Sequence, residues 1–283
     1  MLVYLNGNYI PREQASLPLD DRGFLFGDGI YEVIRVVNGQ PFRMDDHLRR
    51  LDYGIAGLSL PVSEEQRQGL VPAMNRLLRE NDLLEGEATI YLQITRGATP
   101  SRSHSWPHPT VPPTIYITAA SFSPAYKLQK SGANAITLPD QRWSRCDLKT
   151  VNLLANTMAA QQARQHGAFG TLFVRDGAVI EGFNNNVFFV MDGALQTHPD
   201  SPYMLSGITR IVVFEIAKQL GIPVRMAPVQ ATDLYMASEI ILTGTTTDIM
   251  PVIQVDARPV GGGIPGKVAG LLQKEYYRLI GVA

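Results

Sequence analysis

Lysine occurs in this chain only at Lys127, Lys130, Lys149, Lys218, Lys267 and Lys274, while arginine carries most of the positive charge. Lys149 lies in Cys146-Asp147-Leu148-Lys149-Thr150-Val151-Asn152-Leu153-Leu154, a weakly charged setting where burial would lower its pKa and free an amine for Schiff-base chemistry. The same stretch also suits a lysine whose stem lies on apolar surface with its ammonium in water. Two segments could cradle an anion. Gly207-Ile208-Thr209-Arg210 opens a helix, offering free backbone N–H groups and a hydroxyl, and Gly244-Thr245-Thr246-Thr247 follows a strand with a similar set of donors. Each is also ordinary capping or turn composition. Glu181 follows the β-rich run Ala178-Val179-Ile180 and precedes Gly182 and the polar turn Asn184-Asn185-Asn186. A carboxylate there could meet a protonated ring nitrogen or could simply be solvated at a strand end. Arg102-Ser103-His104 sits in a long polar loop, where the arginine's planar fork and the histidine suit a substrate carboxylate or open water. His108, His166 and His198 lack metal-ligand spacing, and His47 has no partner at the next turn of its helix, so no metal centre is expected.

These side chains need positioning elements, and the chain supplies them in a mixed α and β pattern. Met1 to Arg12 reads as two short strands around Asn6-Gly7-Asn8, and Ile30 to Val36 as a buried strand leading to a hairpin turn at Asn38-Gly39. From Met44, the apolar positions Leu48, Leu51, Ile55 and Leu58 step by three and four, which predicts a helix ended by Pro61. Ser63-Glu64-Glu65-Gln66 has capping-box spacing, and Leu70, Met74, Leu77 and Leu78 form the stripe of a second helix. Strands are expected at 89–95 and 114–120, a Pro/Ser/His-rich loop at 97–113, and a linker at 121–132. Further on come a strand at 134–138, helices at 152–166 and 207–220, strands within 171–192 and a strand at 239–243. The expected domains are 1–120 and 133–283, joined by that linker.

Composition narrows the function classes. Twenty-six acidic against 25 basic residues give a net charge of -1, which argues against general nucleic-acid binding. The single cysteine, Cys146, forms no intramolecular disulfide and no thiolate metal cluster, which fits a reducing, cytoplasmic setting. The N-terminus lacks a signal-peptide pattern, and no run approaches the length needed to span a bilayer, so a soluble protein without membrane partners is expected. There is no P-loop, no dinucleotide-binding glycine fingerprint and no Gly-x-Ser-x-Gly elbow.

In combination the motifs resemble the class IV aminotransferases: Asp21-Arg22-Gly23-Phe24-Leu25-Phe26-Gly27-Asp28-Gly29-Ile30-Tyr31-Glu32, His47-Leu48-Arg49-Arg50-Leu51, Lys149, Glu181, Gly207-Ile208-Thr209-Arg210 and Thr243-Gly244-Thr245-Thr246 follow the family order. The resemblance covers nearly the whole chain. It implies a small N-terminal α/β domain, a larger C-terminal domain with a barrel-like sheet, pyridoxal 5'-phosphate (PLP) as cofactor and a homodimer with a shared active site. Arg142 to Lys149, Val151 to Leu154 and the Arg102-x-His104 pattern are most similar to the D-amino acid branch. That branch implies ping-pong transamination between D-amino acids and 2-oxo acids, with Lys149 as the imine-forming catalytic lysine. It also implies Glu181 on the pyridine nitrogen, and Arg50, Ile208, Thr209, Gly244 and Thr245 around the phosphate. Tyr31, with Arg102 and His104 from the neighbouring subunit, would bind the substrate α-carboxylate. Two features depart from that branch: Gly182-Phe183-Asn184-Asn185-Asn186 is bulkier than a Ser-rich stretch, and Gly244-Thr245-Thr246 leans toward the Gly-Thr-Ala turn of branched-chain enzymes. Branched-chain L-aminotransferase and aminodeoxychorismate lyase are the alternatives on this scaffold, and a non-catalytic phosphate-binding module is the alternative outside it.

Overall fold

The computed structural model describes residues 1–282, and the chain divides into two compact units. The first comprises Met1–Ser123 and Leu148–Leu153. Its strands β1 (Leu2–Leu5), β2 (Asn8–Pro11), β3 (Gly29–Val37), β4 (Gln40–Pro41), β5 (Glu87–Thr95) and β6 (Thr114–Ser121) form one sheet in the order β2-β1-β6-β5-β3-β4. All its pairings are antiparallel. The β3–β4 hairpin turns at Asn38 and Gly39, whose φ values of 47° and 73° are those a two-residue turn demands. Three helices accompany the sheet: α1 (Arg22–Phe26), α2 (Met44–Gly57) and α3 (Glu64–Glu80).

The capping box predicted at Ser63 is formed. The Gln66 N–H donates to Ser63 Oγ at 3.2 Å and the Ser63 N–H to Gln66 Oε1 at 2.9 Å, fixing the start of α3 with a contribution of about 1 kcal/mol. The predicted stripe Leu70, Met74, Leu77 and Leu78 is fully buried against Ile90, Leu92 and Ile117 of the sheet. Each such side chain contributes about 1.5–3 kcal/mol of transfer free energy. Helix α2 packs on β3, and α3 on β6 and β1. Because strand side chains alternate, β3 sends Ile30, Glu32 and Ile34 toward the helices and Tyr31 to the opposite face.

The second unit comprises Pro124–Asp147 and the chain from Leu154 on. Its helices are α4 (Tyr126–Ser131), α5 (Leu154–Gln165), α6 (Ile208–Leu220) and α7 (Lys267–Ile280). Its strands are β7 (Ala133–Pro139), β8 (Gly170–Arg175), β9 (Ala178–Val179), β10 (Asn186–Met191), β11 (Ala194–Thr197), β12 (Val224–Met226), β13 (Val229–Gln230), β14 (Glu239–Gly244), β15 (Asp248–Val255) and β16 (Arg258–Pro259). They run β12-β11-β10-β14-β15-β7-β8-β9-β13, with β16 on β15. Parallel pairings of β7 with β15 and β8, and of β11 with β12, make the sheet mixed. The expected barrel-like sheet is an open one: its path ends at the short strands β12 and β13, which do not pair with each other among the described residues. Leu172, Val187, Phe189, Leu242 and Met250 centre the core. No helix among the described residues is long and apolar enough to cross a membrane.

The division departs from the boundaries expected from sequence. The stretch 121–132 is not an irregular linker, since it holds the last residue of β6 and the helix α4. Leu148–Leu153 groups with the first unit, because Ile30 and Thr150 form an antiparallel bridge, the Tyr31 N–H donates to the Lys149 carbonyl and the Val151 N–H to the Gly29 carbonyl, each at 3.0 Å.

Candidate active site

Those backbone bonds seat Lys149 beside β3. Its Nζ lies 4.3 Å from the Tyr31 ring centroid, where the ring's negative face favours a cation. Tyr31 stacks on Tyr91 at 5.8 Å, and Tyr91 meets Tyr116 at 6.3 Å, so an aromatic row from three neighbouring strands backs the amine. Burial, then the neighbouring Tyr31 and Tyr116, pushes the Tyr91 hydroxyl up to about 12, so it stays protonated and donates to Gln93 Oε1 at 2.7 Å.

On the helix-facing side of the same strand, Glu32 is almost fully buried and accepts from Arg50 Nε and Nη2 and from His47 Nδ1, each at 2.8 Å. Burial alone would raise its pKa, but the Arg50 charge and hydrogen bonds, with those of His47, outweigh it and hold the carboxyl at about 2. His47 has no partner at the next turn of its own helix; its partner, Glu32, lies across on β3. Burial pushes His47 down, the Glu32 contacts pull it up, and the charges of Arg50 and Lys149 push it down again. The net result is a neutral imidazole, and an ionised Glu32 can only accept, so Nδ1 carries the proton. Arg50, expected from resemblance at a phosphate, is anchored by this carboxylate.

Arg102 and His104 sit in the loop between β5 and β6, which carries no regular secondary structure over 100–113. Both lie against Phe26, with the Arg102 guanidinium 4.8 Å from the ring centroid and the two rings of Phe26 and His104 5.4 Å apart. Arg22 of α1 donates to the carbonyls of Ser103, His104 and Ser105.

In the second unit, Glu181 is buried and accepts from Arg142 Nη1, from Asn186 Nδ2 at 3.0 Å and from the Leu205 N–H at 3.2 Å. Burial raises its pKa, and the nearby Asp140 adds to that. Arg142 and the Leu205 N–H pull the other way without cancelling the rise. Arg142 is divided between two acids, for it also forks onto Asp140 with two bonds of 2.9 Å. Asn186 links Glu181 to the start of α6. Its Nδ2 also donates to the Leu205 carbonyl at 2.8 Å, and its Oδ1 would lie 2.0 Å from a Cβ at Gly207, so a larger residue there would displace the Asn186 amide.

Helix α6 begins at Ile208 with no side-chain cap, leaving first-turn N–H groups at buried Ile208 and Thr209. Thr243 pairs with Asn186 across β10 and β14, and its buried Oγ1 has no partner. Gly244 ends β14, and the turn through Thr245 and Thr246 returns to β15, with the Thr247 N–H donating to the Gly244 carbonyl at 3.2 Å. An uncapped helix start, an orphaned buried hydroxyl and a turn rich in donors fit an anionic group, and the Glu181 carboxylate, tied to the start of β10 through Asn186, fits a basic ring nitrogen.

The structure thus brings Tyr31 and Lys149 together in the first unit, joins Arg50 to Glu32 and His47, and places Arg102 and His104 on Phe26. In the second unit Asn186 ties Glu181 to the start of α6 and faces Thr243, which precedes Gly244. The supporting roles of Glu32, His47, Arg22, Arg142 and Asn186 do not follow from sequence reasoning. The signals available are that Arg22, Glu32, His47 and Arg142 fall within the stretches that carry the resemblance, and that Glu32 is a charge within the apolar run Gly29–Val37.

The family Amino-transferase class IV matches residues 29–255 of the chain. The D-alanine aminotransferase of Staphylococcus aureus (strain COL) is 36% identical over 280 residues, covering 98% of this chain and 97% of its own. That of Bacillus licheniformis is 36% identical over 273 residues, with 96% and 95% covered. Among solved structures, the branched-chain amino acid aminotransferase of Escherichia coli superposes with a TM-score of 0.90 at 27% identity, covering 100% of this chain and 95% of that one. The T.th. branched-chain amino acid aminotransferase complexed with N-(5'-phosphopyridoxyl)-L-glutamate gives 0.87 at 29%, again over 100% and 95%. The fold and site define an aminotransferase of this type. The chain belongs to the class IV aminotransferase family.

Proposed function

We propose that the protein is a PLP-dependent D-amino acid aminotransferase, moving amino groups between D-amino acids of the D-alanine and D-glutamate type and 2-oxo acids in two half-reactions. The observation that carries this reading is the Lys149 amine held over Tyr31, in a chain similar over almost its whole length to D-alanine aminotransferases. When bound, PLP supplies an electron sink for the charge left when the substrate Cα loses its proton. Lys149 would anchor the cofactor until the substrate's amine displaces it, and its freed Nζ would then take the Cα proton and return it on the other side of the transferred nitrogen. Glu181 would pair with the ring nitrogen and keep a proton there. The N–H groups and hydroxyl of Ile208 and Thr209, with Gly244, Thr245 and Arg50, bind the phosphate. Tyr31 receives the substrate carboxylate, and Arg102 and His104 serve the same group from the neighbouring subunit of a homodimer. No metal takes part.

Lys149→Ala should abolish turnover, with at least a roughly thousandfold loss, while leaving the fold in place; near wild-type transamination by that variant would remove the assignment. The visible spectrum reports handedness. D-alanine without an acceptor should bleach the yellow band, and L-leucine should not. The Gly244-Thr245-Thr246 turn and the likeness to branched-chain enzymes favour an L-branched-chain reading as the second, and the reverse bleaching preference would establish it.

A further inference from the structure

The loop that carries Arg102 and His104 has no ladder or helix to hold it, yet three of its successive carbonyls converge on one buried cation. Arg22, only 3% exposed, donates from Nη1 to Ser103 O at 2.6 Å and Ser105 O at 3.3 Å, and from Nη2 to His104 O at 3.2 Å. Its Nε is held by Asp28 Oδ2 at 2.8 Å. Asp28 is itself clamped by Arg96, with bonds of 2.8 and 3.0 Å, and Arg96 lies 4.0 Å from the Trp106 ring at the far side of the same loop. Burial would raise the Asp28 pKa, but Arg96 and Arg22 hold it below the usual carboxylate range, so the network keeps its charges at neutral pH. The ring of Phe26 then receives three side chains: Arg22 at 4.7 Å, Arg102 at 4.8 Å and His104 at 5.4 Å. The backbone of the loop is therefore wound on Arg22 and its two functional side chains are laid on Phe26.

We propose that Arg22 and Phe26 are positioning residues for substrate-carboxylate recognition, setting Arg102 and His104 in place before substrate arrives; this rests on the reading that those two residues bind the α-carboxylate. A preset loop pays no ordering entropy at the moment of binding, which lowers KM without altering the proton transfer at Lys149. Only a planar guanidinium spans Asp28 and three carbonyls at once. Lysine, a point charge with three donors, restores part of the effect.

The test uses the PLP-loaded enzyme in steady-state assays with D-alanine and 2-oxoglutarate. Arg22→Met and Phe26→Leu should each raise the KM for both substrates about tenfold with kcat changed less than about twofold, and Arg22→Lys should recover part of the loss. The PLP absorption band and cofactor content should stay as in the parent. Arg102→Ala tests the underlying reading separately. If it leaves both KM values unchanged, the carboxylate reading fails and the proposal with it. If Arg102→Ala raises KM while Phe26→Leu and Arg22→Met do not, the proposal is overturned and the reading stands. In an Arg102→Ala, His104→Ala background, Phe26→Leu should add little, whereas full additivity would show that Phe26 does not act through those two side chains. Should Arg22→Met fail to fold, Phe26→Leu, which leaves every ion pair intact, decides the matter.

Discussion

Glu32 and Glu181 are both buried carboxylates with an arginine partner, one in each unit, and they titrate in opposite directions. Glu32 is held at about 2, whereas Glu181 is raised above the ordinary range. Burial disfavours the charged form in both, so the difference lies in the partners. Arg50 gives Glu32 two bonds, and His47 supplies a third. Arg142 gives Glu181 one bond and commits two to Asp140, whose negative charge also opposes ionisation of Glu181. Its remaining donors, the Asn186 amide and the Leu205 N–H, are neutral. A carboxylate that holds an arginine fork to itself is a structural fixture. One left short of positive charge is poised to accept more, and a protonated pyridine nitrogen is such a charge.

Breaking the comparison at its functional end should give the largest effect. Glu181→Leu should lower kcat for D-alanine by about 10² to 10³, as loss of a charge-stabilising partner does, and stopped-flow bleaching of the PLP band would measure it. A loss below about tenfold would mean that the raised pKa serves no chemistry. Next comes stability. Glu32 has a depressed pKa, so its contribution is present in full above pH 4.5 and is lost as pH falls toward 2. That contribution is about 3 kcal/mol, and urea unfolding followed against pH should show the limb disappear in Glu32→Gln. Glu181 has the opposite sign: its contribution is present at acid pH and declines as pH rises through its raised pKa.

A subtler change sharpens the contrast without removing either acid. Asp140→Asn frees Arg142 for Glu181 and deletes a like charge, so the Glu181 pKa should fall toward the ordinary carboxylate value. An acid limb of kcat/KM that did not move would separate that limb from Glu181. The smallest effect is expected for Asn186→Ala, which removes hydrogen bonds to Glu181 and to the Leu205 carbonyl. Thermal unfolding should register a loss of about 1–2 kcal/mol, with faster release of PLP on dialysis.

What sequence can reveal divides along physical lines. Helices α2, α3 and α6 and the Asn38-Gly39 hairpin are readable because periodicity, caps and turn residues are local signals. Helix α7 and strand β15 are not among the elements expected from sequence, and 121–132 reads as a linker because the short helix α4 has no long stripe. Candidate residues such as Lys149, Glu181 and Arg102 stand out by motif. Their supports do not, because a bond from Arg22 to Ser103, or from Arg142 to Glu181, joins positions that only tertiary folding brings together. Pattern reading sees neighbours at spacings of two to four. It does not see that one guanidinium is divided between two acids.

The grouping of Leu148–Leu153 with the first unit has a consequence for how the chain can be divided. The polypeptide passes from one unit to the other after Ser123, after Asp147 and after Leu153, so no single cut yields two complete pieces. A fragment ending at Ser123 would lose the partners of the Gly29 carbonyl and the Tyr31 N–H, along with the lysine itself. An insertion or deletion beside either end of that short stretch would slide Lys149 out of register with β3 while leaving both cores untouched. The length of the chain at those two junctions therefore bears on where the amine sits, as the identity of the lysine bears on what the amine can do.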